Sequence, residues 1–235
     1  MMKLTRGAGS TQCVALPRLA LRQALVWLLL PLLVFTGYAA DTFGPPFLER
    51  LWSDYGVEAR ERGRELNHLL LRLEDRPDSE KLREINRYFN RIPYADDIDH
   101  WQAQDYWATP EEFIGTNRGD CEDYVIAKYV ALRAVGIPEG KLFLTYVKAT
   151  ELGVSHMVLT YFSTPSDTPL VLDNYDPRIL PATERRDLLP IYSFNAESFF
   201  LTAETGGVAR RLPPGKIKNR KWDALRNALG KEQQL

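Results

Sequence analysis

The stretch Asn117-Arg118-Gly119-Asp120-Cys121-Glu122-Asp123-Tyr124 decides how the chain is read. It sets one cysteine among acidic residues, directly after a glycine turn and at the start of a helical pattern. From Cys121 the apolar positions Val125, Ile126, Tyr129, Val130 and Leu132 recur at about the 3.6-residue period of a buried helical face. Gly136 and Pro138 then close the pattern in the order usual for a helix end. Cys121 is thereby predicted at a helix N-terminus, where unpaired N–H groups and the positive end of the dipole favour a thiolate. The thiolate is the nucleophilic form, so the position suits a reactive sulfur.

The surrounding chain has 235 residues, 45% hydrophobic and 26% charged, which is the make-up of a globular protein and excludes a disordered or fibrous one. A net charge of -1 argues against a general nucleic-acid binder. Residues 1–39 differ from the rest. Arg18 and Arg22 precede an apolar run from Ala24 to Phe35, followed by Gly37-Tyr38-Ala39-Ala40. A basic start, a short apolar core and small residues at a cleavage position describe a secretory signal, with cleavage expected after Ala39. The alternative, an uncleaved anchor, asks for ~20 apolar residues, more than this run supplies. The chain has 2 cysteines, Cys13 in the leader and Cys121. The exported protein would then carry one thiol in an oxidising compartment: a reactive group, an intermolecular partner, or a buried structural residue. The acidic neighbours of Cys121 favour the first.

The expected domain occupies residues 40–205. Phe47 to about Asp75 reads as helix, broken near Gly56, with Leu66, Leu69, Leu70 and Leu73 on one stripe. After the turn at Pro77-Asp78-Ser79 a second helix carries Leu82, Ile85, Tyr88 and Phe89 and stops ahead of Pro93. His68, in the first helix, reads as a surface or packing residue. Asp96, Asp97 and Asp99 offer a cation site, although a solvated acidic loop is the commoner reading. Thr109-Pro110-Glu111-Glu112 is a capped helix start. Beyond the Cys121 helix the period changes to two. Strands are expected over 141–148, over 155–162 with His156 at its opening, and over 169–173 with Asp173 at its end. Helices followed by a short antiparallel sheet make an α+β fold. Residues 206–235 read as a basic tail with a short helix near Trp222 to Leu229, facing anionic lipid, an acidic partner or only solvent.

A cysteine hydrolase or acyl-transferase needs a thiolate, an imidazole that takes and returns its proton, and a group that orients the imidazole. If the second and third strands pair antiparallel, the start of one lies beside the end of the next. Cys121, His156 and Asp173 are then candidates for those roles. The N–H groups at the helix start would face the oxyanion. Asp120, Glu122 and Asp123 would raise the thiol pKa by like-charge repulsion unless neutralised. A bound Ca²⁺ would do so; equally, acids in a first helical turn simply complement the dipole.

Asp105-Tyr106-Trp107-Ala108-Thr109-Pro110-Glu111, Gly119 to Tyr124, Lys128-Tyr129, His156-Met157-Val158-Leu159 and Leu172-Asp173-Asn174 resemble the bacterial transglutaminase-like cysteine proteinases of the LapG type. The resemblance runs over residues 47–202. It implies a papain/transglutaminase-like fold, a helical N-terminal part on an antiparallel sheet. It also implies a periplasmic cysteine endopeptidase with Cys121 as nucleophile, His156 as base and acid, and Asp173 as orienting carboxylate. Calcium is implied at Asp120, Glu122 and Asp123. The implied substrate is a large repeat-containing surface adhesin, cut near its N-terminus at a di-alanine site to disperse biofilm. The implied regulator is an inner-membrane receptor for cyclic di-GMP that holds the protease on its periplasmic domain. Two other readings stay open: acyl transfer as in transglutaminases, and an exported peptide-binding module in which Cys121 is structural.

Overall fold

The computed structural model describes residues 42–196, 199–202, 208–211 and 219–232. The expected leader, and Cys13 with it, lie outside the described residues. Pro45 occupies the first turn of α1 (Pro45–Tyr55), where no N–H is needed. Gly56, at φ 86°, turns the chain into α2 (Val57–Leu73), which is the break expected near it. Leu66, Leu70 and Leu73 face the core. α3 (Asp78–Phe89) buries Leu82, Ile85, Tyr88 and Phe89, the stripe expected for it. A short α4 (Asp97–His100) leads to α5 (Pro110–Thr116). Thr109 caps α5 reciprocally with Glu112: the Glu112 N–H donates to Thr109 Oγ1, and the Thr109 N–H to the Glu112 carboxylate. Among the described residues no helix is long and apolar enough to cross a membrane.

α6 (Cys121–Ala134) is the central helix. It packs on α3 and α5 on one side and on the sheet on the other. Its sequence predicts one apolar stripe, but it is buried on nearly every side, Lys128 included. Phe89, Phe113 and Tyr124 form an aromatic stack between α3, α5 and α6, with ring centroids 6.2 and 4.9 Å apart. Burying a lysine needs partners for its charge. Lys128 Nζ donates to the backbone carbonyl of Asp173 at 3.2 Å and lies over the Tyr124 ring.

The sheet is larger than expected. β1 (Leu142–Ala149), β2 (Val154–Tyr161), β3 (Leu170–Leu172), β4 (Leu180–Pro181), β5 (Leu188–Phe194), β6 (Phe199–Thr202) and β7 (Val208–Arg211) form seven strands in the order β4-β3-β2-β1-β5-β6-β7. Every pairing is antiparallel. Leu142, Leu144, Met157 and Leu159 face the helices; Val147, Val158 and Val171 form a small cluster apart from that core. The β2–β3 register pairs Leu159 with Leu172, so the start of β2 and the end of β3 meet at one end of the sheet.

Residues 206–235, read as a basic tail with a short helix near Trp222 to Leu229, contain that helix and a strand before it. β7 extends the sheet, and α7 (Arg220–Glu232) follows it. Asn219 Oδ1 accepts from the Lys221 and Trp222 N–H groups, starting α7 as a side-chain cap does. Trp222 and Leu225 are buried, with the Trp222 ring edge-on to Tyr129 and Phe194. The helix was expected there, but the basic residues around it hid that Trp222 and Leu225 dock it on the core.

Two predictions follow from this packing. Trp222→Ala should lower unfolding free energy by roughly 3–5 kcal/mol in chemical denaturation, the range for emptying a buried tryptophan site; a change near zero would mean that α7 does not dock. Lys128 is pushed down to about 7 by burial, from an ordinary 10.5. Between those values the unfolded chain holds a proton that the folded chain lacks, so stability at this site rises with pH. The stability of the wild type relative to Lys128→Met should therefore grow from about pH 7 toward 10.5; a pH-independent difference would contradict the burial of a charged lysine.

Candidate active site

Gly119 stands immediately before the cysteine because nothing larger fits: a Cβ there would run into Asp123 Oδ2 and the Phe113 ring. Asn117, in the left-handed region at φ 55°, ends α5 and starts the turn. The Asp123 carboxylate, fully buried, accepts from the Ala108 N–H at 2.8 Å and from the Asp120 N–H at 3.2 Å. It thereby ties the 105–109 loop to the head of α6. These constraints put Cys121 at the first position of the helix, as the sequence predicts.

The Cys121 thiol is buried between α6 and β2. The Met157 N–H reaches its sulfur, and the thiol donates to Glu122 Oε2 at 2.7 Å. Burial first, then the charges of Glu122 and Asp120, hold the thiol pKa well above its ordinary value. The dipole of α6 does not offset this crowd of carboxylates.

His156 and Asp173 meet as the strand register requires. His156 Nε2 lies 2.8 Å from Asp173 Oδ1, and both side chains are fully buried. That contact sets the proton on Nε2 and leaves the lone pair on Nδ1. His156 Nδ1 is buried without a hydrogen-bond partner. The Tyr175 ring covers the imidazole face to face, centroids 4.1 Å apart and planes 7° apart. Asp173 is held from several sides: its Oδ1 also accepts from the Tyr175 N–H, its Oδ2 from Arg185, and its carbonyl from Lys128 and Asn90. Burial alone would raise the Asp173 carboxyl; His156, the Tyr175 N–H and Arg185 outweigh it and hold it down at about 2.

The acidic residues gather in two groups that share Asp120. Glu122 turns to Cys121 Sγ and accepts from Tyr146 OH at 3.2 Å. Consecutive helical residues point about 100° apart, so Glu122 and Asp123 leave the helix on different sides. Asp97 takes the third place instead: Asp97, Asp120 and Asp123 bring carboxylate oxygens within 4.8 Å of one another. A second group, Asp120, Cys121 and Glu122, shares Asp120 with it. The link is backbone, since Tyr94 bridges to Gly119 and the Ala95 N–H donates to the Gly119 carbonyl, which lays the start of α4 beside the head of α6. Asp96 bonds Tyr94 OH at 2.8 Å and Asp99 is exposed, so only Asp97 of that acidic run takes part.

Burial and mutual repulsion push Asp120 up to about 9, and burial pushes Asp123 up to about 8. Asp97 Oδ1 and Asp120 Oδ1 are buried without a partner. Three crowded carboxylates, two of them with an orphaned oxygen, suit a hard cation, which takes oxygen ligands. Tyr175, Arg185 and Asn90 were not singled out from the sequence, and Lys128 entered only as part of the Lys128-Tyr129 motif, without a role. For Lys128 a signal existed: it stands one turn from Tyr124 and one from Leu132, inside the buried stripe. Arg185 carried none, because Glu184-Arg185-Arg186-Asp187 reads as an ordinary charged turn.

Comparison with known proteins agrees with this architecture. Residues 57–186 match the family described as bacterial transglutaminase-like cysteine proteinase BTLCP. Among solved structures, calcium-bound LapG of Legionella pneumophila is 37% identical, with a TM-score of 0.68, covering 77% of this chain and 97% of that one. The EGTA-treated form of the same protein is 36% identical at the same TM-score, covering 77% and 95%. No curated protein matches the chain. The chain belongs to the bacterial transglutaminase-like cysteine proteinase family and is a cysteine protease.

Proposed function

We propose that this chain is a calcium-dependent endopeptidase in which Cys121, His156 and Asp173 act as nucleophile, base and orienting carboxylate. The observation that carries the reading is His156 fixed on Asp173 through Nε2, with Nδ1 unpartnered where β2 packs on the head of α6. In the first step His156 Nδ1 takes the Cys121 proton and the thiolate attacks the scissile carbonyl carbon. Asp173, held ionised, stabilises the imidazolium. His156 then returns the proton to the leaving amine, which departs and leaves a thioester on Cys121. Water attacks that thioester, its proton passing to His156, and the new carboxylate is released as the Cys121 sulfur regains a proton. Backbone N–H groups at the head of α6 face the developing oxyanion.

Asp97, Asp120 and Asp123 would hold the cation, with Glu122 at hand beside Asp120. When bound, the cation would supply positive charge next to a thiol that burial, Glu122 and Asp120 hold protonated. Calcium is supported as its identity by the calcium-bound state of the Legionella relative and by the all-oxygen donor set. The leader-like start supports work in the periplasm. The family resemblance supports a large surface adhesin as substrate, cut near its N-terminus at a di-alanine site, and control by an inner-membrane cyclic di-GMP receptor.

Incubation with an N-terminal adhesin fragment bearing a di-alanine site tests this directly. Cutting is expected with calcium, is expected to stop with EGTA, and should fall by roughly 10³-fold or more in Cys121→Ala. Cutting that survives EGTA would remove the calcium requirement, and cutting that survives Cys121→Ala would remove the nucleophile. Asp97→Asn is expected to raise the calcium concentration needed for half-maximal cutting; an unchanged requirement would exclude Asp97 from the ligand set.

A further inference from the structure

Arg185 lies outside the three residues assigned chemistry, yet it is the cation on which the Asp173 carboxylate rests. It follows the turn Ala182–Glu184 and is buried. Its Nη2 donates to Asp173 Oδ2 at 2.7 Å and to Asp187 Oδ2 at 2.7 Å, while Nε donates to Asp187 Oδ1 at 3.0 Å. Asp187 is anchored in turn, because its carbonyl accepts from the Thr150 N–H at 2.8 Å and Thr150 Oγ1 at 3.0 Å. A continuous relay therefore runs from the end of β1 through Asp187, Arg185 and Asp173 to His156.

A carboxylate can turn about its terminal bond, and only one orientation of Asp173 puts Oδ1 on both His156 Nε2 and the Tyr175 N–H. A partner on Oδ2 locks that plane. A planar guanidinium joined to two carboxylates does this better than an ammonium, which offers no fixed fork. Arg185 also places positive charge beside a carboxylate with no exposed surface.

We propose that Arg185 is a positioning residue for the proteolytic reaction, acting through Asp173 to keep the His156 imidazole in the orientation and tautomer that serve Cys121. This rests on the Cys121–His156–Asp173 reading. Asp187 is the anchor that aims Arg185, and neither residue touches the reacting atoms.

The test uses the full chain with calcium present and two readouts that need no natural substrate. One is the rate of iodoacetamide alkylation at Cys121, followed by mass spectrometry of its peptide. The other is the proton NMR signal of the His156 ring N–H, identified by its loss in His156→Gln. In Arg185→Gln that signal is expected to move upfield or vanish. Alkylation should slow about 10- to 100-fold, the scale seen when a group orienting a metal-bound histidine is removed. Asp187→Ala, at a side chain 33% exposed, should move both readouts the same way by less. If Arg185→Gln fails to fold, Asp187→Ala decides alone, and wild-type readouts in it overturn the proposal. A folded Arg185→Gln with wild-type signal and rate overturns it too, provided His156→Gln and Asp173→Asn slow alkylation. If His156→Gln and Asp173→Asn also alkylate at the wild-type rate, the triad reading itself fails, and the role of Arg185 falls with it.

Discussion

The Asp173 carboxylate, fully enclosed and fully ionised, is the constraint around which the molecule is arranged. A buried carboxylate without compensation would protonate or unfold its surroundings. Here the compensation comes from elements that meet at that end of the sheet. β2 sends His156, the chain after β3 offers the Tyr175 N–H, and the turn before β5 sends Arg185 to the carboxylate. Lys128 of α6 and Asn90 at the end of α3 hold the Asp173 backbone carbonyl. The same contacts that make the burial tolerable fix where the imidazole stands. Stability and chemistry therefore share one set of bonds, and a change at Asp173 touches both.

The head of α6 shows the opposite balance. Asp120 and Glu122 crowd the thiol, Asp97, Asp120 and Asp123 crowd one another, and Asp97 Oδ1 and Asp120 Oδ1 have no partner. Helix N-termini accept acids readily, but each is worth only about 0.3–1 kcal/mol near the surface. Removing one ionised carboxylate from water costs several kcal/mol. The dipole cannot carry this cluster, whereas a bound divalent cation can. An active site beside an unbalanced acidic knot has its reactivity set by whatever neutralises the knot, which gives the proposed calcium dependence a physical basis.

Much of this was legible in the sequence, for reasons that differ by residue. Helix starts are local events, so the glycine turn, Cys121 at the first helical position and the Thr109 cap could all be read from short stretches. Strand period placed His156 and Asp173 at one end of the sheet because register follows from alternation. The sequence offers Asp97 with Asp96 and Asp99 as a cation site or a solvated loop; its place beside Asp120 depends on the non-local backbone bridge between Tyr94 and Gly119. Glu122 and Asp123, implied together as ligands by the resemblance, leave the helix on different sides and fall in two groups joined by Asp120. Arg185 and Tyr175 gain their meaning only from what they touch. Beyond residue 205 the helix around Trp222 was legible, but the strand before it was hidden by composition, where basic residues predominate.

The central claim is that Cys121, served by His156 and Asp173, attacks a carbonyl carbon. Rapid-quench reaction of the calcium-loaded protein with an activated acyl ester, followed by mass mapping, tests it most directly. The account predicts a burst of leaving group matched by a thioester on Cys121, much slower to form in His156→Gln. Acylation at another residue, or a thioester on Cys121 that forms equally fast without His156, would contradict it.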